Sequence, residues 1–547
     1  MFGPKVLSTG LLLLATAVST TPWVAAYGTV LLDAPFQQME PNAPGWVTVV
    51  LDDASPAESA VAAEIQMVQD LIVQRQFEKA MEAVEALERK LPTSPTVMNL
   101  KGAIYLGKDD VVRARESFER AMQLRTTSTA AAVNLAQLDM AQGNPEAARQ
   151  RFVGILSKDA ANVQAMIGLA GLAAISGQDA QYAAWLERAI KAAPSDVRPR
   201  ALLANYYLQK NEVRTALKVA QEAQRAAPRD ARALDLLGTA QRAAGDREQA
   251  ADTYLQLVAL LPRDPVAYYK LASAQADARR IPAAIESLNK ALALKHDYLD
   301  AELLLGSIEI ERGSYGDALK IVRQLEKQHP DSPFGPLLEG DVLMKQKQFK
   351  SALLAYEKAQ AIKKSGLIAV RIHQALAASG NAEEADTTLL RWLDNQPRDA
   401  VSRAYLAAAY LKEGRSKQAA EQYRRVLEDD PRNIRALNDL AWLYHQEKDP
   451  RALATAEQAH QVAPDNPHVM DTLAWILVEQ GKTGQALDLL RQAAKGDPAS
   501  TAIRYHLAVA LAKSDDKKRA RKELEDLLAR NKTFPERTEA QSLLGHL

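Results

Sequence analysis

The stretch Gly238-Thr-Ala-Gln-Arg242-Ala-Ala-Gly245-Asp-Arg-Glu-Gln-Ala250-Ala-Asp-Thr-Tyr254-Leu-Gln-Leu257-Val-Ala-Leu-Leu-Pro262 holds two helical faces and the punctuation between them. Gly238 sits on a first helix, and Gly245 ends that helix. Ala250 opens a second helix, Tyr254 and Leu257 continue its apolar face, and Pro262 closes the unit because proline cannot carry a helix onward. Small residues at positions 238 and 250 let two antiparallel helices approach closely. The aromatic then fills the gap between their turns.

The same spacing recurs along the chain. Steps of about 34 residues from Ala250 reach Ala284, Ala318, Ala352, Ala385, Ala419, Ala452, Ala486 and Ala520 going forward, and Ala216, Tyr182, Ala148, Ala114 and Ala80 going back. Closing prolines keep the step at Pro92, Pro194, Pro228, Pro262, Pro330, Pro397, Pro431, Pro464 and Pro498. Two ladders in register over roughly 450 residues are not a coincidence, and they give about fourteen repeats. The pattern resembles the tetratricopeptide repeat (TPR). That resemblance implies an all-α helix-turn-helix solenoid forming a superhelix with a concave groove.

Composition agrees with a distributed core. Apolar residues make up 47% of the 547-residue chain but aromatics only 5%, which suits helix pairs filled by Ala and Leu better than sandwiches or barrels. Lys plus Arg and Asp plus Glu number 68 each, so no global field draws the chain to nucleic acid or an anionic membrane. Without cysteine, disulfides, thiolate metal sites, a Cys nucleophile and lipidation on Cys are excluded. A single repeat cannot stand alone, because about 1.5–3 kcal/mol per buried large side chain barely offsets the ordering entropy of about 34 residues. Stacking supplies the rest.

At the N-terminus, Lys5 precedes the apolar run Val6 to Val18, and Val24-Ala25-Ala26 offers small residues for cleavage. This reads as a signal peptide over 1–26, with the mature chain beginning near Tyr27. From 27 to 59 the helical pattern breaks around Pro35, Pro41, Pro44 and Pro56, with β-branched runs at Thr29 to Leu32 and Trp46 to Leu51. That leader is either extended or a short hairpin, packs Trp46 on the first repeat, or is a linker. Repeats are expected over 60–362 and 363–535, the division being set at Lys363 to Ala378, where no closing proline appears and the register slips. Residues 536–547 are expected to cap the array.

No catalytic site can be named. The eight histidines include no HExxH and no i, i+4 pair, the glycines occur singly rather than in a phosphate loop, and no GxSxG is present. The chain therefore reads as a non-enzyme with no metal and no cofactor. A repeat array instead offers a groove lined by its first helices, and by register that groove should present Asn205, Arg232, Asp235, Arg242, Tyr269, Asn438, Tyr444 and Trp475. Polar groups beside aromatics fit a peptide or glycan surface. The Lys and Asn set of a clamp for a C-terminal carboxylate is not found.

The C-terminal third carries more specific text: Ala436-Leu-Asn-Asp-Leu-Ala-Trp442-Leu, Asp449-Pro-Arg-Ala-Leu453, Ala463-Pro-Asp-Asn466, Asp471-Thr-Leu-Ala-Trp475, Arg504-Tyr-His-Leu-Ala-Val-Ala510 and Phe534-Pro-Glu-Arg537. Over roughly Ala400 to Leu547 these segments resemble the TPR-repeat protein (lipoprotein) family of the PEP-CTERM/exosortase system. The resemblance implies a scaffold or adaptor of the bacterial envelope, with other envelope proteins of exopolysaccharide synthesis or export, or of PEP-CTERM protein sorting, as partners. Members commonly carry a lipid on a Cys after the signal; this chain has no Cys. The expected location is the periplasm, at most peripheral to the outer membrane. Direct binding of polysaccharide in the groove, and a generic TPR adaptor, are the alternatives.

Overall fold

The computed structural model describes residues 56–125, 128–210 and 212–547. The expected signal peptide over 1–26, its cleavage after Ala26 and the leader up to residue 55 lie outside the described residues. Among these there are thirty helices and no strand. Apart from the short Pro56–Ser59 and the terminal Arg537–His546, they form fourteen pairs, each a first helix and a second helix joined by a tight turn. No helix among the described residues is long and apolar enough to cross a membrane. The described chain divides into two units, 56–301 and 302–547, with the boundary inside the helix Leu299–Glu311.

Within 56–301, the pair Ala231–Ala244 and Arg247–Leu260 shows how the repeat is built. Asp230 caps the first helix by accepting from the Arg232 backbone N–H at 2.8 Å. Gly245 ends it at φ 81°, a left-handed conformation. Ala250 is fully buried and Tyr254 is 1% exposed, its hydroxyl sharing a hydrogen bond with Thr239 Oγ1 at 3.0 Å. A Cβ on Gly238 would lie 2.6 Å from the Tyr254 ring, so the glycine is what admits the aromatic. Pro262 follows the second helix, and two residues later Asp264 accepts from Val266 N at 2.9 Å to start the next first helix. Proline and cap together make the junction.

The left-handed turn recurs at the repeat spacing. Besides glycines such as Gly143, Gly177 and Gly245, the position is filled by Arg75, Asp109 and Arg279, the last at φ 58°. An L-residue there costs about 1–2 kcal/mol, offset in part by the greater chain entropy glycine loses on folding. Arg279→Gly should accordingly raise the stability read from urea melts by about 0.5 kcal/mol, while Gly245→Ala should lower it by about 1 kcal/mol. Equal and opposite-signed shifts from those expected would show that the turn does not set the repeat.

In 302–547 the ladder alanines Ala318, Ala352, Ala385, Ala419, Ala486 and Ala520 are all at 0% exposure. Polar networks are buried among them. Asp341, wholly enclosed, accepts from the Tyr356 hydroxyl at 2.6 Å and from Arg371 Nε at 3.0 Å. His373 shares hydrogen bonds with Tyr405 at 3.0 Å and with Asp386 at 3.3 Å, and burial holds its imidazole below the usual range. Where the closing proline is missing, Ser365 starts the helix Gly366–Ala378 by accepting from Ile368 N at 3.3 Å. The terminal helix packs Ala540 on Ala508 and Leu524, with Phe534 and Leu547 beside them.

Candidate binding site

Three successive first helices, Ile434–Gln446, Pro467–Glu479 and Thr501–Lys513, together with the terminal helix Arg537–His546, wall a cavity of about 630 Å³ in 302–547. Trp442 and His445 come from the first of these, Trp475 and Glu479 from the second, Tyr505 and His506 from the third. Glu536 and Glu539 come from the N-terminus of the terminal helix. The repeat period itself brings them together: His445 and Glu479, like Glu479 and Lys513, stand one repeat apart on successive helices. Lys513 Nζ meets Glu479 Oε1 at 2.9 Å.

The aromatic wall is braced. Trp475 stacks on His506 with centroids 4.1 Å apart and planes at 28°, and His506 Nδ1 lies 2.8 Å from Asp471 Oδ1. Trp442 tilts against His445 at 5.8 Å, and burial lowers the His445 pKa. The acidic wall is not balanced in the same way. Burial first, then the carboxylates of Glu539 and Asp471, push the Glu536 carboxyl above its usual range against its own backbone N–H and His506. Tyr505, half-buried near Glu539 and Glu536, is pushed up to about 12, chiefly by burial. Glu536 Oε2, Glu539 Oε2 and Trp442 Nε1 are buried with no hydrogen-bond partner among the described residues. Buried polar atoms in native folds are nearly always satisfied, so three in one cavity wall single it out.

Trp475 is the one residue of the groove set that reaches this cavity. Three others, Asn205, Arg232 and Asp235, line a smaller cavity of about 220 Å³ in 56–301. There Arg232 is held by Asp230, whose carboxyl its hydrogen bonds keep below the usual range, and Asp235 is paired with Lys270. Arg242 donates to Asp277 at 2.8 Å. Tyr269 is half-buried against Tyr298, 5.5 Å away, and burial raises its pKa. Asn438 and Tyr444, expected in the groove, are core residues at 4% and 5% exposure, and the Arg451 guanidinium covers the Tyr444 ring at 4.2 Å. Their helix is gripped on several sides by its neighbours, so a polar or aromatic residue at a groove register can still be enclosed. Trp442, Tyr505, His506, Glu536 and Glu539 were not singled out as site residues by the repeat register; the two glutamates lie outside the ladder altogether.

Two tetratricopeptide repeat families match the chain, one over 105–171 and 477–547, the other in overlapping segments over 202–366 and 371–467. Cellulose synthase operon protein C of Pseudomonas fluorescens (strain SBW25) is 25% identical over 377 residues, covering 66% of this chain and 27% of that protein. Type IV pilus assembly protein PilF of Pseudomonas aeruginosa is 33% identical over 110 residues, covering 20% of this chain and 44% of that one. The chain thus spans between about a quarter and under half of the length of these relatives. The crystal structure of yeast Tom70 aligns with 84% of this chain and 97% of its own at 13% identity and a TM-score of 0.42.

Proposed function

From a chain that belongs to the tetratricopeptide repeat family, we propose a non-enzymatic scaffold or adaptor that docks partner proteins of the bacterial envelope in its repeat surface. The observation that carries this reading is the cavity of about 630 Å³ assembled from side chains of three successive first helices, since convergence of equivalent positions is how an array makes a multivalent surface. The setting we propose is exopolysaccharide biosynthesis and export or the sorting of PEP-CTERM proteins, in the periplasm, with peripheral attachment at the outer membrane. The motifs around Trp442 and Trp475 support it, as do relatives named for a cellulose synthase operon and for type IV pilus assembly.

A second reading, direct binding of polysaccharide, is favoured by one observation: Trp442, Trp475 and Tyr505 line the same cavity. The two readings part on a simple assay. On immobilised polysaccharide, the adaptor reading expects no retention of the full chain. Polymer binding expects retention that Trp475→Ala abolishes with the helical circular dichroism intact. Co-purification with defined envelope proteins from the native host supports the adaptor; recovery only as a free chain after crosslinking counts against it.

A further inference from the structure

We propose that the cavity walled by Trp442, Trp475 and the start of the terminal helix receives an arginine side chain of a partner polypeptide, with Glu536 and Glu539 taking the guanidinium. This rests on the adaptor reading above and specifies what that adaptor recognises.

Most acids around the cavity already have a basic partner. Around the cavity, Glu479 is paired with Lys513, Asp471 with His506 at 2.8 Å, and Asp449 with Arg451 at 2.7 Å. Glu536 is different: it is 9% exposed, it lines the cavity, and its Oε2 has no partner among the described residues. Glu539 Oε2, a turn further along the same helix, is in the same state. An ionised carboxylate can only accept, so what these oxygens lack is a donor. Two carboxylates a helical turn apart on one cavity wall, each with a buried oxygen, also place negative charge where water is scarce: burial first, with Glu539 and Asp471 adding to it, pushes the Glu536 carboxyl up. A neutral donor would leave that charge in place, whereas a cation would neutralise it.

Among cations, guanidinium fits best. Its planar fork of donors matches a pair of carboxylate oxygens, and its flat face can lie against indole and phenol rings, which Trp442, Trp475 and Tyr505 supply. Ammonium is a compact point charge that uses neither feature. The third unmet atom, Trp442 Nε1, is a donor and needs an acceptor that guanidinium lacks. A peptide backbone carbonyl flanking the arginine provides it. Polypeptide is therefore favoured over a free cation and over a neutral glycan, whose C–H faces could stack on the rings and whose hydroxyls could donate to the carboxylates, but which would leave their negative charge uncompensated.

The test titrates the full chain with acetylated, amidated Ala-Arg-Ala and with its citrulline counterpart, which keeps the shape and removes the charge, and follows tryptophan fluorescence. The arginine peptide should bind saturably and the citrulline peptide about tenfold more weakly. Glu536→Gln and Glu539→Gln, each near-isosteric, should weaken the arginine peptide about tenfold while circular dichroism and melting stay those of the parent chain. Equal binding of the two peptides, or no effect of either substitution, overturns the proposal. So does binding of a neutral cello-oligosaccharide in place of the arginine peptide. The adaptor reading is judged separately: a partner still captured by the Glu536→Gln, Glu539→Gln double variant removes the arginine site and leaves the adaptor, while absence of any partner removes the adaptor and leaves the titration to decide the site.

Discussion

Asp341→Leu is expected to destabilise 302–547 by about 3–5 kcal/mol, the range for breaking a buried ion pair from one side. Asp341 is at 0% exposure and accepts from both Tyr356 and Arg371, and the Arg371 side chain is itself 10% exposed. Removing the carboxylate strips the Tyr356 hydroxyl of this acceptor and takes from the Arg371 guanidinium the carboxylate it donates to, in a nearly dry setting. The same carboxylate, after burial, is what holds the Tyr356 phenol far above its usual range. Replacing both charges is a different matter, because well-packed apolar residues of similar volume often do as well as a buried pair. The double variant Asp341→Leu, Arg371→Met should recover most of the loss in urea melts. If single and double variants unfold together, the pair is not what makes Asp341 necessary.

The second large effect belongs to 56–301. Tyr254→Ala should cost about 3–5 kcal/mol, since it empties a fully enclosed aromatic site. Tyr254→Phe should cost only about 1 kcal/mol, the net worth of the hydrogen bond to Thr239. Gly238 makes the prediction sharper. Its missing Cβ would stand 2.6 Å from the ring, so Gly238→Ala alone overpacks the helix pair and should cost about 1–3 kcal/mol. In the Tyr254→Ala background the added methyl meets a cavity instead, and alanine's helix propensity, about 1 kcal/mol better than glycine's, is then gained without strain. A double-mutant cycle in urea should return strong coupling between positions 238 and 254. Additive effects would mean that the glycine and the aromatic are not packed against each other.

That pair also shows why the fold was legible. Gly238, Gly245, Ala250, Tyr254 and Pro262 each answer a local geometric need, and the array repeats the need often enough for the spacing to stand out. Less visible were devices whose residue type varies from repeat to repeat. The left-handed turn accepts Gly245 but also Arg279, and the cap is Asp230, Asn433, Asn466 or Ser500. The binding surface was legible only in part, for a reason visible in one helix. From Val469 to Val478 every residue is buried except Trp475, because a first helix is packed between its own second helix, the preceding second helix and the first helices on either side. Apolar periodicity is then nearly continuous, and register alone cannot separate groove from core. Trp475 emerges from that helix, whereas Asn438 and Tyr444 on the preceding one do not. Glu536 and Glu539 could not be found by register at all, since they belong to the segment after the last repeat.

Whether this array holds a partner protein is decided by a photo-crosslinking residue placed at Gln480, an exposed position on the wall of the larger cavity, in the native host. Mass spectrometry of the adducts should identify a discrete polypeptide of the envelope polymer or sorting machinery, joined through one short segment, and absent when the crosslinker is moved to exposed Val401. Recovery of the chain alone from Gln480, or the same adducts from both positions, would contradict the account.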